Sequence, residues 1–225
     1  MVVRVRLFAI LRERAGTGEL ELELPDGARV SDAVARVGGL PDGLHVLTAL
    51  NREYVRDDPP LSAGDELALI PPVSGGAAAA VDRLEGRARI TEAPLSLDRL
   101  IALVRDPRAG AVVTFQGVTR DVPRLEYEAY TEMAIESIAE IVEAAIERHG
   151  LCAAAAEHRI GTVPLSEPSV AVAVSAPHRG EAFAGAREII DELKARAPIW
   201  KREVEADGTA TWIHPSEPTP PQPEG

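Results

Sequence analysis

The run Pro71-Pro72-Val73-Ser74-Gly75-Gly76 constrains the fold of this chain more than any other stretch. Two prolines cannot continue a strand, and the glycines that follow favour no regular element, so the pattern before the run must close on itself. A domain boundary is placed there. Ahead of it, Val3-Arg4-Val5-Arg6-Leu7 and Glu19-Leu20-Glu21-Leu22-Glu23-Leu24 alternate apolar and charged side chains, the period of half-buried strands. A short helical piece over 10–14 separates them. A second helix over 32–37 is expected to be capped by Ser31 and stopped by Gly38-Gly39. Extended stretches over 46–51 and 66–70 complete a small mixed sheet crossed by one helix.

Behind the break the elements change order. Strands are expected over 84–91, 111–116, 153–160 and 170–175, helices over 96–104, 131–149 and 181–196, and a hairpin turning at Asp207-Gly208. The chain is therefore α+β in two parts: residues 1–76 on a β-grasp-like plan, an alanine-rich linker over 77–81, a second α+β domain over 82–213, and a proline-rich tail over 214–225.

Charge narrows the function. The chain's 225 residues hold 24 Lys+Arg against 36 Asp+Glu, a net charge of −12, which argues against nucleic acid as a partner. The longest apolar run, Leu151 to Ala156, is far short of the roughly 20 residues a membrane-spanning helix needs, and Arg4 and Arg6 interrupt any leader-like core. A cytoplasmic protein without a membrane partner is expected. The single cysteine, Cys152, allows neither an internal disulfide nor a multi-cysteine zinc site, so no metal and no resident cofactor are expected.

Two of the 24 cationic side chains are lysine, Lys194 and Lys201, seven positions apart. Arginine stays charged at any working pH; an amine can lose its proton in a desolvated site and serve as acid, base or nucleophile. Lys194 borders an apolar helical row of Phe183, Ala186, Ile190 and Leu193. After Pro198 turns the chain, alternation puts Lys201 with Ile199 and Glu203 on one strand face, and Trp200, Arg202 and Val204 on the other. His178-Arg179 stands just before that helix, where free N–H groups and the helix dipole favour an anion. His158-Arg159 falls inside a strand, where local hydrogen bonding accounts for the histidine.

The β-grasp plan ending in Gly75-Gly76 resembles the small subunit of molybdopterin synthase, a ubiquitin-like sulfur carrier. Residues 82–213 resemble the large, catalytic subunit of the same family. The second resemblance is carried by the stretches from Val113 to Arg120 and from Leu125 to Tyr130, by His158-Arg159-Ile160-Gly161 and His178-Arg179, and above all by the stretch from Leu193 to Glu203. A natural fusion of both subunits is implied. The resemblance implies transfer of sulfur from a thiocarboxylate on Gly76 to cyclic pyranopterin monophosphate, forming the dithiolene of molybdopterin. Lys194 and Lys201 would be the catalytic amines, and Val118, Thr119, Arg120, His178, Arg179, Arg202 and Glu203 would lie in the substrate-binding segments. It implies further an adenylating and sulfurating enzyme that loads the Gly-Gly terminus, and a homodimer whose pockets draw on both protomers.

This chain departs from the family pattern in three places. Gly76 is internal and has no carboxyl group to activate, so cleavage between Gly76 and Ala77 is expected. Three residues, Asp121-Val122-Pro123, separate Arg120 from Arg124 where relatives carry a longer loop, and no arginine follows Trp212. Two rival readings are a non-catalytic ubiquitin-like interaction protein with Gly75-Gly76 as a hinge, and a sulfur carrier serving thiamine or tRNA pathways.

Overall fold

A computed structural model describes residues 1–44, 46–55, 57–71 and 87–213. The expectations for Gly75-Gly76, the alanine linker and the proline-rich tail fall outside them.

The N-terminal unit consists of β1 (Val2–Leu7), α1 (Ala9–Ala15), β2 (Glu19–Glu23), α2 (Val30–Arg36), β3 (Leu47–Leu50), β4 (Glu53–Val55) and β5 (Glu66–Ile70). They form one sheet in the order β2-β1-β5-β3-β4, with β1 and β5 parallel at the centre and the other pairs antiparallel. Alternation in β1 buries Val3, Val5 and Leu7 beside Leu67 and Leu69 of β5, and Val30 and Ala33 of α2 cover that core. This is the expected β-grasp plan. Ser31 does not cap α2. Arg29 is the N-cap, its N–H donates to the Asp32 carboxylate at 2.8 Å, and the Ser31 hydroxyl donates instead to Asp58.

β5 differs from the other strands of this sheet because both of its faces are buried. Leu67 and Leu69 face their own core, while Ala68 and Ile70 join a second cluster with Phe8, Ala9 and Ala49 that is completed by Tyr130, Met133 and Trp200 from beyond the break.

The C-terminal unit contains β6 (Ala88–Thr91), α3 (Leu97–Leu103), β7 (Ala111–Val118), β8 (Arg124–Ala129), α4 (Thr131–His149), β9 (Ala153–Arg159), β10 (Gly161–Pro164), β11 (Pro168–Ala176), α5 (Arg179–Arg196), β12 (Ile199–Val204) and β13 (Ala210–Trp212). One sheet runs β6-β9-β11-β7, a second β10-β8-β12-β13. α4 and α5 pack on one face of the first sheet and α3 on the other. Both faces being covered, β9 shows no alternation, and its alanines let helices approach from either side. The helix expected over 96–104 is α3, and Ser96 caps it, accepting the Arg99 N–H at 3.3 Å.

Phe183 does not join the buried row of α5. It is 61% exposed, and Ala182, Ala186, Ile189, Ile190 and Leu193 form that row instead. The helix starts at Arg179 rather than 181, and the face it packs against the first sheet and α4 runs through Ala182, Ala186, Ile189 and Leu193, which leaves Phe183 off that face.

Candidate active site

The second sheet has two functional faces, and the β8–β12 ladder defines both. The antiparallel register sets Tyr127 opposite Lys201, Glu126 opposite Arg202, and Glu128 opposite Trp200. Side chains at alternate positions leave opposite faces, so Tyr127, Lys201 and Glu203 share one face while Glu126, Glu128 and Arg202 share the other.

The first of these faces lines a cavity of about 510 Å³. Lys201 enters it from β12 and Lys194 from the last turn of α5, so the two amines marked out by their rarity converge on one concave surface. Pro198 makes this possible: it ends α5 and the chain turns back as β12 within a few residues. Val118, Arg120 and Glu203 line the same cavity. Its charged lining, apart from His158, is three cations, Arg120, Lys194 and Lys201, against two carboxylates, Asp121 and Glu203. A cationic recess in a chain of net charge −12 suits an anionic ligand.

The floor is a hydrogen-bonded chain. The Tyr127 hydroxyl donates to Ser169 Oγ at 3.0 Å, and Ser169 Oγ donates to the Gly117 carbonyl at 3.3 Å. Burial pushes the Tyr127 hydroxyl above its usual pKa, so it stays a neutral donor. Gly117 is required here by space: a Cβ would come within 2.7 Å of Val170 Cγ1.

His158 lines this cavity, although its place in a strand points to a structural role. The imidazole packs edge-on to Tyr127 with centroids 4.9 Å apart, and its Nδ1 lies 2.8 Å from the Arg159 carbonyl oxygen. Burial lowers its pKa to about 4, overcoming the opposing effect of that hydrogen bond, and the nearby ammonium of Lys194 adds to the depression. No local pattern in the sequence marks Tyr127, Ser169 or His158 as members of one site; the β9–β11 register sets His158 opposite Val170, next to Ser169, and the packing of the second sheet against the first brings Tyr127 to both.

Four of the substrate-binding candidates, Thr119, His178, Arg179 and Arg202, lie outside the cavity within one chain. Thr119 is buried; its N–H donates to the Glu167 carbonyl at 3.0 Å and its hydroxyl to the Val163 carbonyl at 3.4 Å, so it clasps the end of β7 to the β10–β11 turn. His178 and Arg179 are exposed at the start of α5, beyond Ala176, whereas the cavity touches the opposite end of β11 at Ser169 and Val170. Six or more strand residues at about 3.3 Å each put them on the order of 20 Å away.

Arg202 belongs to the other face of the ladder. Its guanidinium binds Glu126, donates to Glu13 of α1 at 2.8 Å, and lies 5.5 Å from the Trp212 ring centroid. The same face carries the junction between the two units. Phe8 stacks on Tyr130 at 4.8 Å and on Trp200 at 5.3 Å; the Ala9 N–H and the Arg12 guanidinium both bind Glu128, and the Tyr130 hydroxyl donates to Glu66. At its edge, Trp200 Nε1 donates to the Pro71 carbonyl at 3.4 Å. The last described residue of the N-terminal unit is therefore held against the residue that precedes Lys201.

Comparison with known proteins agrees with this two-part construction. Residues 5–76 match the family model described as ThiS family, and residues 90–196 match that of the MoaE protein. The chain is 45% identical over 129 residues to the molybdopterin synthase catalytic subunit of Thermoplasma volcanium, covering 55% of this chain and 94% of that one. It is 42% identical over 132 residues to the corresponding subunit of Coccidioides immitis, covering 55% of this chain and 67% of the relative. The crystal structure of molybdopterin synthase from Staphylococcus aureus superposes with a TM-score of 0.53 at 33% identity, over 57% of this chain and 97% of that one. Fold and site thus define a ubiquitin-like sulfur-carrier unit joined to a sulfurtransferase unit in one polypeptide. The chain belongs to the molybdopterin synthase family, enzymes of molybdenum cofactor biosynthesis.

Proposed function

We propose that this chain, after cleavage between Gly76 and Ala77, transfers sulfur from a thiocarboxylate on Gly76 to cyclic pyranopterin monophosphate in the cavity that holds Lys194 and Lys201. The observation that carries this reading is the Trp200–Pro71 hydrogen bond, which holds the carrier's chain one residue from Lys201. Five further residues reach Gly76, and fully extended they span up to about 17 Å, enough to enter the cavity. The thiocarboxylate and the cyclic phosphate are both anions, which Arg120 and the two amines would attract; an amine can also protonate a leaving oxygen or hold the reacting carbonyl. Two sulfurs are needed per product, so two loaded carriers must be used in turn.

His178 and Arg179 enter the same scheme from a second protomer of a cytoplasmic homodimer. They stand at a helix N-terminus with no side-chain cap, far from their own cavity, and Phe183 is exposed one turn further along the same helix. A mixture of Lys194→Ala and Arg179→Ala chains should therefore regain activity that neither has alone, through dimers with one intact site.

The deciding experiment supplies purified protein, the cyclic precursor, an adenylating and sulfurating enzyme and a sulfur source, and follows product and intact mass together. The reading requires a fragment ending at Gly76 with a thiocarboxylate, and loss of molybdopterin formation in Lys194→Ala with its fold intact. Full-length chain that is active without processing would overturn the cleavage step.

A further inference from the structure

Among the described residues that line the cavity, His158 is a buried ionisable group for which the proposed chemistry gives no use. Its ring is fixed on two sides. Tyr127 packs against it at 4.9 Å, and Nδ1 meets the Arg159 carbonyl oxygen at 2.8 Å. A carbonyl oxygen can only accept, so Nδ1 carries the ring's hydrogen, and Nε2 is left as a bare lone pair. The charged groups facing the same space are Lys194 from α5, Lys201 and Glu203 from β12, and Arg120 and Asp121 from the loop after β7. Of these, Lys194 is the charge that acts on the imidazole.

We propose that His158 is a positioning residue for Lys194: the Arg159 carbonyl locks the ring as the Nδ1–H tautomer, and Nε2 accepts a hydrogen bond from the Lys194 amine and aims it into the cavity. This rests on the reading of Lys194 as a reacting amine. A neutral acceptor suits the task better than a carboxylate, because it orients the amine without the strong ion pair that would hold its proton in place. Burial keeps the ring neutral through the working pH range, so the acceptor is always present.

The test has a spectroscopic arm and a kinetic arm, both on the full chain. In a long-range 1H–15N correlation spectrum, His158 should show a protonated Nδ1 and an unprotonated Nε2 between about pH 5.5 and 8, and the Nε2 resonance should move in Lys194→Met. In the synthase assay, His158→Asn keeps a donor for the Arg159 carbonyl but loses the acceptor at Nε2. Its kcat should fall about tenfold or more, the worth of one hydrogen bond to a charged group, with KM and thermal midpoint near wild type. His158→Gln, which can place an amide oxygen near the Nε2 position, should recover part of that loss. An unprotonated Nδ1, an Nε2 resonance indifferent to Lys194→Met, or a kcat loss that follows the thermal midpoint would each overturn the proposal. A protein with the expected spectrum and no synthase activity would instead count against the sulfur-transfer reading and leave the tautomer intact.

Discussion

At the scale of single residues, burial decides the protonation of two groups in the cavity, Tyr127 and His158. His158 is neutral when folded, with a pKa of about 4 against about 6.5 for a free imidazole. Between those values the unfolded chain binds a proton that the native chain does not, so stability rises with pH across that window and is lost as pH falls through it. The full shift corresponds to about 3 kcal/mol. The thermal midpoint should therefore fall between pH 6.5 and 4 more steeply in the wild type than in His158→Asn, and comparing the two melting curves separates this histidine from the carboxylates that titrate in the same range. The lysines are legible in the sequence itself, because an otherwise arginine-only chain places two amines within seven positions. His158 is not, because a histidine in a strand shows its use only when the packing of α5 brings Lys194 to it.

Among the elements, β12 couples the two halves of the molecule. Trp200 and Arg202 hold the carrier unit, and the intervening Lys201 and the following Glu203 face the cavity. The family resemblance puts Arg202 in a substrate-binding segment, but within one chain its guanidinium is engaged by Glu126 and Glu13. Arg202→Ala should consequently raise the concentration of separately supplied, loaded carrier needed for half-maximal rate in a processed enzyme, with little change in KM for the pterin. The ion pair with Glu13 is partly exposed, so the effect should be about 1 kcal/mol or less and should shrink in high salt. Phe8→Ala should do more. Its ring is buried between Tyr130 and Trp200, and its loss should weaken the docking of cleaved carrier by about 2 kcal/mol or more, read as a rise in Kd by titration calorimetry.

The α4 pattern reads directly as a helix over 131–149, and the alternation of β12 places Lys201 with Glu203 correctly. Three strands leave little trace in the sequence. β4 and β10 are three and four residues long, and β8, Arg-Leu-Glu-Tyr-Glu-Ala, carries charge on a face that looks solvated until the carrier unit covers it. Phe183 misleads in the opposite direction: an aromatic at helical spacing reads as core, yet it stands in solvent within one chain.

For the whole molecule, joining carrier to enzyme fixes their ratio at one to one and holds the carrier near its docking face at high effective concentration, which the proposed cleavage would end. The junction that welcomes a loaded carrier reads Phe8, Arg12, Glu13 and Glu66, none of which changes when the sulfur leaves. A spent carrier should therefore bind almost as well as a fresh one and obstruct its successor. Under the proposed two-sulfur transfer, the aromatic sandwich that makes the first delivery efficient would become a brake on the second, and the pace of the finished enzyme would be set by how fast Phe8 lets go.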